Sequence, residues 1–516
     1  MLILSPDEIR LAELFAAKNG VSLMTLMRRT GKACFDEITG YISEEESARF
    51  AGKTPKIAVL CGMGNNGGDG FICAALLKKA GLDTTVLALY GPPRTENASK
   101  AFDELKNTDT EIVDLNINPR FDTEKLISSC DIIVDAIFGI GFKDREDPVF
   151  ERIAKAVNKS SGAVFAVDIP SGVSCDGIIH KNAVKADMTV TFQFMKKAFI
   201  SNDSADFCGK VVCADIGIPK DATAHFEKLC IITEENEIKP LITKRDGDVN
   251  KGDFGRALLV CGSYGMAGAA ILAARAAMLC GVGIAELFIP KSIYEICAGA
   301  VTECVFTPYD PEDISGAVQL LKKRIKKASA VAVGCGLSVS NTAKALTFAA
   351  LESAKCPLVI DADGINCISE HIDILKTADA DILLTPHPGE MGRLIKKSAD
   401  YVNSDRIGIS TAFAEKYGLT LLLKGRFTVI ADPDGTVHIN TTGNAGMAKA
   451  GSGDVLTGIA LSLAAQGIPL CSAASAAAFI HGKAGDIAAK EHSRRAMTAS
   501  DTASSLKKLF SEYEKD

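Results

Sequence analysis

The chain has no excess of positive charge, no closely paired cysteines and no unbroken apolar segment long enough for a bilayer, and each absence removes a class of function. Its 57 Lys and Arg stand against 64 Asp and Glu for a net charge of −7, which leaves no sequence-wide basic footprint for nucleic acid or an anionic membrane. Sixteen cysteines run from Cys34 to Cys471 without one C-x-x-C pair. That argues against a zinc knuckle or a dithiol motif and for buried free thiols in a reducing cytoplasm. The N-terminal MLILSPDEIRLAEL reaches Asp7 and Glu8 before an apolar run can form, so no secretory signal is expected and a cytoplasmic location is. Residues 455–482 carry no charge, yet Gln466-Gly467-Ile468-Pro469 interrupts them. The break predicts two Ala- and Ser-rich helices, each too short for about 30 Å of hydrocarbon.

What is present is the composition of an ordinary globular protein: 516 residues, 47% apolar and 23% charged, enough for two large α/β domains or three smaller ones. The first half has apolar runs at 56–62, 84–90, 132–139, 163–170 and 188–194, preceded by a helical region over roughly 5–47. Continuous rather than alternating hydrophobicity implies strands covered on both faces, hence a mostly parallel sheet. The sequence turns charged and irregular between Gly217 and Asp253, then resumes with runs at 257–262, 284–290, 330–336, 357–364, 381–387 and 420–425. A hairpin with its turn at Pro433-Asp434-Gly435 follows. The expected domains are 1–235 and 236–516.

In the first half, Gly62-Met63-Gly64-Asn65-Asn66-Gly67-Gly68-Asp69-Gly70 lies between a strand and a helix. Glycines there let backbone N–H groups approach an anion at the helix start. Its first six residues fit G-x-G-x-x-G, but the next strand ends in Ala88-Leu89-Tyr90-Gly91 without the acidic residue of a standard dinucleotide site. A tight turn capped by Asn and Asp would give the same pattern. Asp135 and Gly139-Ile140-Gly141-Phe142 end one further strand and Asp168-Ile169-Pro170-Ser171-Gly172 another. Ligands of open α/β sheets gather at such carboxyl ends, and these oxygens suit a hard monovalent cation and a polar substrate.

The NNGGDG, VDAIFGIG and DIPSG segments, with Thr191-Phe192 and Lys196, resemble the NAD(P)H-hydrate epimerase domain over essentially residues 1–220. The resemblance implies a Rossmann-like three-layer α/β/α domain. It implies substrate contacts from Asn65, Asn66, Gly67, Gly68 and Asp69, from Gly139, Ile140, Gly141, Phe142, Lys143, Asp144 and Arg145, and from Asp168, with K+ held by Asn66, Asp135 and Ser171. Asp168 is the candidate acid/base for reversible ring-opening or loss at the hydroxyl-bearing C6, with Lys196 second. Ala198 stands where the family has glycine.

In the second half, Gly451-Ser452-Gly453-Asp454 opens a helix, an arrangement that suits an anion, with an Asp placed to take a hydroxyl proton. A merely capped helix start fits the same residues. Lys424-Gly425-Arg426-Phe427-Thr428 follows a strand and offers charge and a hydroxyl to phosphates. His387 stands between Pro386 and Pro388 at another strand end. His481, within a helical run, reads as helix packing.

These segments, with NKGDFGRALLVCGS, GMAGAA, DADG and HGKAGD, resemble the ADP- or ATP-dependent NAD(P)H-hydrate dehydratase over about 240–505, a ribokinase-like α/β fold. The resemblance implies hydrate contacts from Ala269, Gly336, His387 and Asp454. It implies nucleotide contacts from Lys424, Gly425, Arg426, Phe427, Thr428 and Gly453, with Asp454 catalytic. The implied co-substrate is ADP, or ATP, with Mg2+, and phosphate placed on the C6 hydroxyl makes it a good leaving group. Cys335-Gly336-Leu337-Ser338 replaces a PGLG-like turn of the family. Both halves together imply a repair enzyme for NADHX and NADPHX, expected as a homo-oligomer with no nucleic-acid or membrane partner. The alternative is a ribokinase-type small-molecule kinase with a regulatory first domain; a non-catalytic ligand sensor is a further one.

Overall fold

A computed structural model describes residues 1–45, 50, 53–142, 146–226, 228–242, 245 and 247–515. It divides into two compact units, Met1–Glu227 and Lys228–Asp516. The second unit therefore starts at Lys228 rather than 236, because a short strand at Cys230–Ile232 pairs in parallel with Val437–Ile439. Three residues inside a charged stretch are too few to show a strand pattern.

The first unit has one seven-stranded sheet: β1 (Lys56–Cys61), β2 (Asp83–Ala88), β3 (Glu111–Asp114), β4 (Ile132–Ala136), β5 (Ala163–Val167), β6 (Met188–Phe192) and β7 (Lys210–Ala214). Their order is 3-2-1-4-5-6-7 and every pairing is parallel. Successive residues of β1 enter different cores. Ile57 and Val59 pack with Phe71, Ala74 and Leu77; Ala58 and Leu60 pack with Phe150, Ile153 and Val157. Helices thus cover both faces, as the continuous apolar runs predict, and the order reverses direction between β1 and β4, the crevice where such sheets bind ligands.

Two helices precede this sheet, Pro6–Lys18 and Leu23–Glu45. The first starts at a capping box in which Ser5 accepts from the Glu8 amide and the Glu8 carboxylate accepts from the Ser5 amide, with Pro6 at its first position. Ile9, Ala12 and Ala16 form its buried stripe.

The second unit contains β8 (Cys230–Ile232), β9 (Arg256–Val260), β10 (Ile284–Pro290), β11 (Val305–Tyr309), β12 (Ala330–Val333), β13 (Leu358–Ile360), β14 (Ile382–Leu384), β15 (Thr420–Leu423), β16 (Thr428–Ala431) and β17 (Val437–Asn440). They lie in the order 8-17-16-15-14-13-12-9-10-11. β15, β16 and β17 pair antiparallel, so the Pro433-Asp434-Gly435 hairpin forms as expected. One face packs against Ala-rich helices Ala267–Leu279, Ser452–Ala465 and Leu470–Ala496. The uncharged stretch does break into two helices at Gln466–Pro469, and the second continues past Gly482 through Lys483 and Asp486, with a kink at Ser493, whose φ is 67°, before Ala496. Among the described residues no helix is long and apolar enough to cross a membrane.

Candidate functional site

In the first unit the chain leaves β1 at Cys61 and enters a helix at Asn65–Lys79. The NNGGDG residues are therefore its first turns rather than a loop before it, with Gly64 as cap. Gly67 is required by close approach, since a Cβ there would lie 2.0 Å from the Gly62 carbonyl oxygen. The amides of the first turn have no intrahelical acceptor and open toward a cavity of about 710 Å³ at the sheet's carboxyl edge.

Asn65, Asn66, Asp69, Gly139, Ile140, Gly141, Phe142, Asp168 and Lys196 all line that cavity. Gly67 and Gly68 are buried in the helix turn behind it. Lys143, Asp144 and Arg145 lie outside the described residues. Lys196 is wholly buried, and its ammonium meets the Asp168 carboxylate at 2.7 Å while also donating to Thr191 Oγ1. Asp168 further accepts from the Ile140 amide at 3.2 Å, and it holds a left-handed backbone with φ 72°, uncommon for a residue other than glycine. Ala198 fits the turn that carries Lys196: it is fully buried and its amide donates to Cys175 O at 2.9 Å.

Asp135 and Ser171 sit deeper. Asp135 is completely buried and accepts from the Ser171 amide at 2.7 Å and the Ser171 hydroxyl at 2.6 Å, and burial pushes its carboxyl up to about 6. No Lys or Arg is among its partners in the described residues. The Asn66 Nδ2 atom is buried without a partner. Rotating that amide would present an oxygen instead. An uncompensated buried carboxylate, a hydroxyl and an amide oxygen are a donor set that fits a monovalent cation such as K+.

Sequence reasoning missed the contribution of the two N-terminal helices. Glu13 and Thr30 both line the cavity. Thr30 donates to Asp69 Oδ1, and burial still drives the Asp69 carboxyl well above the usual range. Glu13 is also raised, first by burial and then by the Asp168 charge.

In the second unit the helix Ser452–Ala465 starts at Gly451, whose φ of 91° turns the chain sharply, and Asp454 lies in its first turn. Burial and the neighbouring Asp361 raise Asp454 to about 6. Gly453 lies beside Lys424 and Asp361: a Cβ there would be 3.4 Å from Lys424 Nζ and 3.8 Å from Asp361 Oδ2. Lys424 does not stand free for phosphates. It donates to Asp361 Oδ1 at 2.7 Å and lies 3.8 Å from Glu390 Oε2. Burial would raise the Asp361 carboxyl, but Lys424, helped by Thr457 at 2.7 Å, holds it below the usual value.

His387 caps the helix Pro388–Ile395: its Nδ1 accepts from the Gly389 amide at 3.0 Å and its amide donates to Glu390 Oε2 at 2.8 Å. Half-exposed, it is joined through Glu390 to Lys424. Thr428 is turned inward, donating to Gly425 O at 3.1 Å. Arg406 ties the Lys424–Thr428 loop by donating to the carbonyls of Leu423, Lys424 and Phe427. Ala269 and Gly336 meet at another corner, where a Gly336 Cβ would come within 2.8 Å of Ala269 Cβ. Cys335 Sγ, Asp361 and Asp454 offer ligand atoms all within 4.8 Å of one another. His481 is buried, with burial and then Lys424 lowering it to about 4, so it is a neutral packing group.

Comparison with known proteins agrees with this division. Residues 23–198 match the family described as YjeF-related protein N-terminus, and residues 257–508 match NAD(P)H-hydrate dehydratase. The bifunctional NAD(P)H-hydrate repair enzyme of Moorella thermoacetica is 34% identical over 510 residues, covering 97% of this chain and 94% of that one. That of Escherichia coli is 30% identical, covering 98% and 93%. Among solved structures, the ADP/ATP-dependent NAD(P)H-hydrate dehydratase of Bacillus subtilis, co-crystallized with ATP/Mg2+, is 27% identical and covers 55% of this chain and 98% of its own, with a TM-score of 0.48. The chain therefore belongs to the family of bifunctional NAD(P)H-hydrate repair enzymes.

Proposed function

We propose that the first unit interconverts the R and S forms of NADHX and NADPHX and that the second dehydrates the S form with ADP or ATP. The observation that carries this reading is one carboxylate in each unit at a sheet's carboxyl edge: Asp168 against Lys196 in the first, Asp454 beside the Asp361–Lys424 pair in the second. The names of full-length relatives support the pairing of activities.

In the first unit the Lys196 ammonium orients Asp168 toward the cavity, where the carboxylate takes the proton of the substrate's C6 hydroxyl. The C6–N1 bond then opens to an aldehyde, and closure on the other face reverses the configuration. The Asn65–Gly67 turn presents backbone amides to the dinucleotide's phosphates. Asn66, Asp135 and Ser171 would hold K+, which when bound supplies positive charge to offset buried Asp135.

In the second unit Asp454 takes the C6 hydroxyl proton as that oxygen attacks the terminal phosphorus, and the bond to the remaining nucleotide breaks. Amides at the start of the Ser452–Ala465 helix face the phosphoryl charge. The phosphate then leaves C6, pushed by the ring nitrogen, and C5 gives up a proton to form the C5=C6 bond. Mg2+ belongs to this reading as the nucleotide's counter-ion, part of the co-substrate. Lys424, fixed by Asp361 and Glu390, and Gly453 border the nucleotide side; His387, Ala269 and Gly336 border the hydrate. A reducing cytoplasm suits sixteen cysteines that are all free thiols.

The test incubates purified protein with mixed R and S hydrate and either nucleotide, following dihydronicotinamide absorbance and inorganic phosphate. Complete recovery with one phosphate per cofactor is expected. Phosphate retained on an organic product would instead identify a kinase.

A further inference from the structure

Ring-opening at C6 takes a proton from the hydroxyl and delivers one to N1, two transfers that one shuttling carboxylate or two separate groups can carry out. When Asp168 removes the hydroxyl proton and the C6–N1 bond breaks, the electron pair goes to N1 and is met there by a proton; a second group that supplies it spares Asp168, held in place by Lys196, from serving both atoms. Re-closure on the opposite face returns both protons, so atoms and charges balance without another reactant. Beside Asp168 the sequence motifs nominate only Lys196, which is fixed on Asp168 and Thr191, and the cavity holds another group.

Glu13 reaches the cavity from the helix Pro6–Lys18, one helical turn after Ile9 and Arg10, which line it too. Ser5, Glu8 and Pro6 fix the start of that helix and hence the height of Glu13. The other two carboxylates of the lining are engaged: Asp168 by Lys196, Thr191 and the Ile140 amide, Asp69 by Thr30. Among the described residues Glu13 has no hydrogen-bond donor on its carboxylate, although it lies close enough to feel the charges of Asp168 and Lys196. Burial, and then the Asp168 charge, raise this part-buried carboxyl, which favours its protonated form and suits it to give a proton.

We propose that Glu13 is the second acid/base group of the epimerase, giving a proton to N1 as Asp168 takes one from the C6 hydroxyl. This rests on the epimerase reading of the cavity and extends it. Arg10 on its own helix, Asp69, Tyr90, Arg94, Asp168 and Lys196 are the other titratable groups facing the same cavity; after burial, Asp168 raises the Glu13 carboxyl while Lys196 and Arg10 lower it.

The experiment uses the full chain, with its own dehydratase as reporter. R hydrate alone is supplied with nucleotide, so cofactor recovery reads epimerisation; S hydrate alone reads dehydration and folding. Glu13→Gln is expected to lower kcat for R hydrate on the order of 10²-fold or more with KM little changed, leaving S-hydrate turnover intact. Glu13→Asp should regain part of the rate, and the limb of the pH profile that depends on the Glu13 proton should vanish only in the Gln variant. Wild-type kcat and pH profile in Glu13→Gln would overturn the inference, as would a rise in KM alone, which marks a binding contact. If the Gln variant does not fold, Glu13→Asp decides: wild-type kcat with an unmoved pH limb overturns the role, and a shifted limb with reduced kcat upholds it. Wild-type protein that consumes S but never R hydrate would instead defeat the epimerase reading beneath it, a separate result.

Discussion

The two units use one device, a glycine-bearing turn feeding a helix at the edge of a mostly parallel sheet, but they treat the carboxylate beside it differently. In the first, Asp168 is neutralised by a dedicated cation, wholly buried Lys196. In the second, the available cation Lys424 is spent on Asp361 and Glu390, and Asp454 is left to be raised by burial and by its acidic neighbour. A paired carboxylate is held in one place against its cation, which suits a step that must run in both directions at a fixed geometry. An unpaired one near neutrality accepts a proton readily, which suits deprotonating a hydroxyl during phosphoryl transfer.

Breaking this contrast has its largest effect at the carboxylates. Asp454→Asn should reduce dehydration by roughly 10²–10⁴-fold while epimerisation, followed by separating the two hydrates, continues unchanged. Lys196→Met comes next: it strands a buried carboxylate, a loss of about 3–5 kcal/mol for such a pair, and should lower the melting temperature along with epimerase kcat. Calorimetry and R-hydrate turnover measure the two. Smaller and more discriminating is the pH dependence of dehydration. With Asp454 as the proposed base, activity should fall as pH drops through about 6. Asp361→Asn removes the negative neighbour and releases Lys424, and both changes should move that limb to lower pH. Smallest is Cys335→Ala: the thiol's hydrogen bond lowers Asp454, so its loss should move the limb upward by less than about one pH unit.

Much of the frame is legible in the sequence for identifiable reasons. Strands buried on both faces, such as Lys56–Cys61 and Ile132–Ala136, write themselves as apolar runs, and glycines and acids collect where they end. The Pro433-Asp434-Gly435 turn announces its hairpin. The strand order leaves no local trace, nor does the strand at Cys230–Ile232. Site residues on strand ends were readable; those that act across the fold were not. Asp361 meets Lys424 across 63 positions and Thr457 across 96, and neither side chain signals the other. Arg406 looks like an ordinary helix residue until its contacts with the Lys424–Thr428 loop are seen. Glu13 and Thr30 sit on helices whose periodicity speaks only of packing, and their place in the cavity is visible only once the helices are folded against the sheet.

The central claim is that the units perform separate steps through separate carboxylates. The most direct measurement supplies equal amounts of R and S hydrate with nucleotide to the wild-type protein, Asp168→Asn and Asp454→Asn, and follows the cofactor recovered and the phosphate released. The account predicts full recovery for the wild type, recovery stopping at the S fraction for Asp168→Asn, and none for Asp454→Asn although the two hydrates still interconvert. Full recovery by Asp168→Asn, or phosphate that stays on an organic product, would contradict it.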